Sequence, residues 1–286
     1  MDFTFHDFVN GYFDYDLDKK THTCLWLRDE DMDIGGGKIS ISDIDRLKNY
    51  PETEVVRISG LRQDTFEFFI KTYGQKLKAI DFFKNKFVED WSLLGTLHEL
   101  EYVRFFANHR IGSLWDMRNN VSLKGLSISD FSRLHSIEKI NTAPALKYFD
   151  IGNAVWGTMT VESFLPLADT SIEELSFTGK RIDDDDLSFL SSMSHLRKFD
   201  FPANLFSTEQ VAWIAANFPQ LEGCFIKAKC DCPLCDGVPG VMIVGKRKPY
   251  LPIEGNENRI QNYIDSFEAL KRRLKGISYE KAFYNK

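Results

Sequence analysis

The feature that most constrains this chain is a short pattern, large-x-x-large-x-large, that returns eight times in one phase. It reads TEVVRIS from Thr53, LKAIDFF from Leu77, LEYVRFF from Leu100, LKGLSIS from Leu123 and LKYFDIG from Leu146. It continues as IEELSFT from Ile172, LRKFDFP from Leu196 and LEGCFIK from Leu221, at intervals of 24, 23, 23, 23, 26, 24 and 25 residues. In a strand successive side chains point to opposite faces. The fourth and sixth residues of each unit therefore face one way, and the third, fifth and seventh face the other. One unit cannot bury its apolar face alone. Stacked units can, which predicts a parallel sheet along one face of a solenoid and return segments along the other.

The return segments carry their own apolar spacing. Phe87, Trp91, Leu94 and Leu97 form one set and Ile182, Leu187, Leu190 and Met193 another, predicting short helices or single helical turns packed on the sheet. Ser207 followed by Gln210 reads as a capping box opening a helix, and Pro219 marks its stop. This frame resembles the leucine-rich repeat family from about Thr53 to Lys227. The family's polar position after the pattern is filled by Asn85, Asn108 and Asn204, while Asn153 lies one place early and Phe131 and Lys180 stand there instead. The resemblance implies an α/β solenoid with a concave parallel sheet, a convex side of short helices or turns, and a buried Asn ladder broken where Asn is missing. The repeat length is similar to the short class of the internalins, with more helical units expected toward the C-terminal end.

An open solenoid end exposes a slice of core, so both ends need caps. Residues 1–52 are expected to supply one, through a strand at HTCLWLRD, a turn at Gly35 to Gly37, a second strand and a short helix in KISISDIDRL. The GGGK run is not a phosphate loop, because Lys38 is followed by Ile39 and Met32 stands where the first glycine belongs. After a solenoid over 53–227, residues 228–286 read as the second cap. A strand-like run spans Val238 to Val244, and a helix follows with Ile260, Tyr263, Ile264, Phe267, Leu270 and Leu274 on one stripe and Gly276 as its stop.

Composition narrows the function classes. A net charge of −6 argues against nucleic acid as the main partner, since such surfaces concentrate excess Lys and Arg. No run of 18 apolar residues appears and the Asp-rich start lacks the pattern of a secretory signal, so neither a membrane span nor export is expected. Five cysteines, three of them crowded into CDCPLC, fit a reducing cytoplasm.

Chemistry-bearing motifs are few. Cys230, Cys232 and Cys235 could give three thiolates to zinc, although a fourth ligand is not evident, since Cys224 falls on an inward position of the last repeat. Reduced turn cysteines are the competing reading, and no other cofactor is expected. Lys246 to Lys248 with Lys271 to Arg273 offer an anion-binding patch, against which stands their fit to a helix C-terminus. The run Asp183 to Asp186 reads as a helix start. No nucleophile motif or metalloprotease histidine pair occurs, so an enzyme is not expected.

What remains is the outward face of the sheet. Its third positions include Tyr102, Tyr148 and Lys198; its fifth positions Arg57, Asp81, Arg104, Asp150 and Asp200; its seventh Phe83 and Phe106. Neighbouring parallel strands lie about 4.8 Å apart, so Phe83 and Phe106 should touch, with Tyr102 beside them and Asp81 opposite Arg104. Aromatic groups ringed by charge are the composition of an interface centre. The expectation is a non-enzymatic module that binds another protein on its concave face; the competing reading is that the rings cover the sheet themselves.

Overall fold

The structure, a computed structural model, describes residues 3–10, 24–27, 37–155, 157, 159–233 and 237–284. It opens with helix α1 (Phe5–Val9), strand β1 (Cys24–Leu27) and helix α2 (Ile41–Ile44). Strand β2 (Val55–Ile58), helix α3 (Gln63–Tyr73) and strands β3 (Ala79–Phe83), β4 (Tyr102–Phe106), β5 (Gly125–Ser129) and β6 (Tyr148–Gly152) follow. Then come β7 (Thr160–Ser163), β8 (Glu174–Phe177), β9 (Arg181–Asp184), β10 (Lys198–Asp200) and helix α4 (Thr208–Asn217). The chain closes with β11 (Lys229–Asp231), β12 (Gly240–Ile243), β13 (Tyr250–Pro252) and helices α5 (Glu257–Leu274) and α6 (Tyr279–Phe283).

The main sheet is parallel and eight-stranded, in the order β1-β2-β3-β4-β5-β6-β8-β10. Its register pairs equivalent repeat positions, with Val103 beside Ile80 and Leu126 and Phe105 beside Phe82 and Ile128. This is a leucine-rich repeat solenoid. The membership of the sheet differs from the sequence reading by one strand at each end. Strand β1 comes from the segment read as the N-terminal cap, whereas LEGCFIK makes only a bridge from Glu222 to Lys198 and then turns. Cys224, expected in the core, is exposed on that turn. Gly223 explains the departure: a β carbon there would meet the Phe199 carbonyl oxygen at 2.3 Å, a backbone approach that only glycine permits.

Inward residues such as Ile80, Phe82, Val103, Phe105, Leu126 and Phe149 form one continuous core with Trp91, Leu94, Leu134 and Leu167 from the return segments. In the middle units those segments are single 3-10 turns, at Ser92–Thr96, Glu138–Thr142, Leu165–Leu167 and Ser188–Ser191. Full helices lie at both ends of the stack, α3 as well as α4, so the drift toward helix is not confined to the C-terminal side. The run Asp183 to Asp186 does not open a helix directly. Its first half ends β9, paired to β7, and Asp186, just ahead of the 3-10 turn, accepts the Ser188 amide at 2.7 Å.

Each strand from β2 to β5 is followed within two residues by a left-handed residue, Gly60, Lys84, Ala107 and Asp130, that steers the chain off the sheet. The Asn ladder follows at two of these turns. Asn85 accepts the Leu61 amide at 2.9 Å, and Asn108 accepts the Asn85 amide at 2.8 Å. Phe131 then interrupts it, as the sequence implies. Asn204 is exposed and takes no such place, while buried Asn120, unforeseen, holds the Leu94 and Leu97 carbonyls and the Trp115 indole.

The segments at the two ends differ locally from the sequence reading. Residues 38–40 form no strand; Ser40 instead caps α2. The GGG turn falls partly outside the described residues. At the other end the Ser207–Gln210 capping box is present, and α5 packs on α4. Asn217 bonds the Leu274 carbonyl and the Gly276 amide, with Gly276 in the left-handed conformation of a helix stop. The last helix, α6, has no counterpart in the sequence reading. Tyr279 on it lies 5.0 Å from Trp213, ring to ring, and closes the end of the core.

Candidate functional site

The outward residues of the sheet fall into two regions. Toward β2 to β4 they are covered. Tyr102 and Phe106, expected to face water, are each 8% exposed, and Arg57 and Asp81 are buried as well. Helix α1 is what lies on Tyr102: Phe5 and Phe8 stand 5.7 and 6.0 Å from its ring, and Phe3 approaches at 6.0 Å. Burial raises the phenol's pKa accordingly. Self-coverage, the competing reading, therefore holds for Tyr102.

Of the predicted neighbours, Phe83 meets Phe106 and Asp81 meets Arg104, whereas Tyr102 belongs to the separate cluster under α1. Phe83 and Phe106 stack with centroids 5.1 Å apart and planes at 17°. Arg104 Nη1 reaches Asp81 Oδ2 at 3.4 Å, and Arg57 Nε approaches the same oxygen at 3.5 Å. The Arg57 guanidinium is also held between two rings, 4.2 Å from Phe83 and 4.8 Å from Trp26, a geometry that suits its planar charge. Asp81 is thus the buried anion beneath two guanidinium groups, and Phe83 and Arg104 form the half-exposed rim of this cluster.

Toward β6 to β10 the face is open. Tyr148, Asp150, Glu174, Ser176, Lys198 and Asp200 are half-buried and line a hollow of about 260 Å³, whose other wall is Phe5, His6, Val9 and Asn10 of the N-terminal segment. Ser127 Oγ donates to Asp150 Oδ2 at 2.9 Å, Lys198 Nζ pairs with Asp200 Oδ2 at 3.2 Å, and His6 Nε2 lies 3.1 Å from Glu174 Oε2. Burial pushes Asp150 above the usual carboxylate range, against the bonds from Ser127 and Ser176 that lower it. Asp200 is also pushed up by burial, but the Cys224 amide and Lys198 outweigh that and hold it low. The Asp200 charge in turn raises the Cys224 thiol, which makes it a poor nucleophile. Sequence reasoning reached Tyr148, Asp150, Lys198 and Asp200 and put Glu174 and Ser176 in the same outward columns without singling them out, but missed His6, for which no periodic signal exists.

The C-terminal candidates are separate from this hollow. Cys230 and Cys232 are half-buried free thiols whose sulfurs lie 3.7 and 3.8 Å from the Asp231 and Pro233 carbonyl oxygens. Cys235 lies outside the described residues. Of the basic run, Lys246 is paired with Asp185 and Lys248 stands 5.3 Å from the Tyr263 ring. Lys271 and Arg272 border a second hollow of about 400 Å³ between α4 and α5, floored by Phe218, Leu221 and Ile226.

The repeats and their parallel sheet define the fold class as a leucine-rich repeat solenoid. A search of solved structures finds likeness to an internalin, InlF from Listeria monocytogenes, with 16% sequence identity and a TM-score of 0.41. The match covers 65% of this chain and 57% of the internalin chain, so this chain spans little more than half of that relative's length. No family model and no curated protein matches the sequence. The fold assignment rests on the strand order and register, not on that likeness. Among the described residues no helix is long and apolar enough to cross a membrane.

Proposed function

We propose that this protein is a non-enzymatic recognition scaffold of internalin-like design, acting in the cytoplasm, that binds a partner protein on the open end of its concave face. The observation that carries the reading is the half-open polar hollow on a rigid sheet, where Tyr148 stands beside Asp150, Glu174, Lys198 and Asp200. An amphipathic aromatic with charges around it supplies both contact area and orientation at low entropic cost. The Phe83, Phe106, Arg57 and Arg104 cluster extends the surface along the sheet, with Phe83 and Arg104 as its accessible edge. The hollow does hold several titratable groups, which an enzyme would also need. Most of these groups are engaged with a neighbour, Lys198 with Asp200, His6 with Glu174 and Asp150 with Ser127, an arrangement that favours recognition.

Cross-linking in the native host, followed by peptide mass spectrometry, tests the reading with three variants. Proteins retained by the wild type and by the convex-face variant Lys139→Glu, yet lost with Lys198→Glu and with Phe83→Ala, would support it. Retention of every protein by Lys198→Glu would refute it. Zinc held by Cys230, Cys232 and Cys235 remains a subsidiary proposal, supported by their C-x-C-x-x-C spacing. A metal content near zero in purified protein would remove it.

A further inference from the structure

The covered end of the concave face holds something the polar hollow does not explain. Phe5 and Phe8 are buried, yet they take no part in the main core; they form their own cluster with Val55, Ala79 and Tyr102, flanked by Phe3, Val9 and Tyr148. The seat is shaped for a ring. Phe5 lies on Gly125, where a β carbon would stand 2.2 Å from the Phe5 ring, and it sits between Tyr102 at 5.7 Å and Tyr148 at 5.5 Å, stacked on the latter at 14°. Gly125 is in a strand at ordinary backbone angles, so its lack of a side chain serves the ring above it and no turn of its own.

Helix α1 has only five residues and caps itself, Thr4 accepting the Asp7 amide at 3.2 Å and Asp7 accepting the Thr4 amide at 2.9 Å. A helix so short does not persist alone in water, so its form depends on the surface it lies on. That surface reads two aromatic rings three residues apart on one face of a helical turn. Release of α1 would leave the main core intact. It would also remove the Phe5, His6, Val9 and Asn10 wall of the polar hollow, joining the two ends of the concave face into one groove.

We propose that the Gly125 seat is a docking site for an aromatic-x-x-aromatic helix, that α1 is its resident occupant, and that a partner protein engages the concave face by presenting such a helix in place of α1. A tethered segment competes at an effective concentration of about a millimolar, so a successful partner must add contacts beyond the two rings. The outward side chains of β6 to β10 beside the seat, Asp150, Glu174, Lys198 and Asp200 among them, provide them.

A fluorescein-labelled peptide of residues 3–10 tests the proposal on the full chain. The probe should bind Phe5→Ala/Phe8→Ala at least about tenfold more tightly than wild type, whose seat is filled. Adding Gly125→Val to that variant should abolish binding while circular dichroism stays unchanged, since valine suits a strand and fills only the seat. Equal binding by wild type and Phe5→Ala/Phe8→Ala, or undiminished binding after Gly125→Val, would overturn it. So would loss of a cooperative unfolding transition in Phe5→Ala/Phe8→Ala, which would make α1 part of the core. A wild-type dimer in which α1 seats on a second copy would also overturn the claim of a heterologous partner. The Lys198→Glu arm above is independent of these outcomes, so failure at Gly125 leaves the reading of the polar hollow standing.

Discussion

The two ends of the concave sheet share one pleat and one repeat, yet they meet water differently. On β2 to β4 the outward residues Val55, Arg57, Ala79, Asp81 and Tyr102 are buried; on β6 to β10 their counterparts Tyr148, Asp150, Glu174, Ser176, Lys198 and Asp200 are half-exposed. The difference is not in the strands, whose register runs unbroken from one to the other. It lies in what rests on them. Periodicity fixes which face a side chain takes, whereas exposure is decided by what packs above it: α1 on Val55, Ala79 and Tyr102, and Trp26, Phe83 and Arg104 around Arg57 and Asp81.

The sharpest way to break the comparison is at the buried anion. Replacing Asp81 by Ala leaves the guanidinium groups of Arg57 and Arg104 facing each other without their shared carboxylate. We expect a loss of about 3–5 kcal/mol in urea unfolding, the cost typical of removing one partner from a buried ion pair. A loss below about 1 kcal/mol, the range of surface pairs, would show that this end is as wet as the other.

Next in size is the ladder that stiffens the covered end. Asn108→Ala strands the Asn85 amide and the Phe82 carbonyl, and each unsatisfied buried group costs about 1–3 kcal/mol. The same measurement checks it, and Asn204→Ala, at an exposed position, should change stability by no more than about 0.5 kcal/mol. Equal effects would erase the distinction between the two asparagines.

At the open end the expected effects are smaller and concern pH. Burial raises Asp150, so the folded chain holds that proton to higher pH than the unfolded chain does. The associated stability is present below the ordinary aspartate pKa of about 3.9 and is lost as pH climbs through the raised value. Asp150→Asn does not ionise and should therefore gain stability relative to wild type as pH rises from about 4. Urea midpoints measured across that range decide the matter: a gap that does not change with pH would mean Asp150 is as solvated as an exposed carboxylate. Lys198→Glu should lower stability by no more than about 1 kcal/mol in urea unfolding, because its pair with Asp200 is only partly buried.

Much of the fold was legible from eight matching phrases. Their phase gave the inward residues, the parallel register, the contact of Phe83 with Phe106 and the pairing of Asp81 with Arg104, because each of these follows from a strand period of two and a strand spacing set by hydrogen bonds. The signal weakened at the ends. Strand β1 lacks the full pattern, and LEGCFIK has the pattern but turns at Gly223 where the Phe199 carbonyl comes too close. Cys224 followed the phrase into a core it does not occupy. A hint of coverage was present in the third column, where Val55 and Ala79 put apolar side chains on a face that later carries Glu174 and Lys198. Outward apolar residues at one end of a column, and charged ones at the other, mark where a lid begins and ends.

The sequence by itself determined the solenoid, because repeated apolar spacing leaves a chain no other economical way to bury each unit than against the next. Only the tertiary structure decided which part of the concave face stays open. Contacts such as Phe5 on Gly125 and His6 beside Glu174 join residues more than a hundred positions apart, and no local period encodes them. They form only once the stacked strands have built the surface on which a five-residue helix can rest.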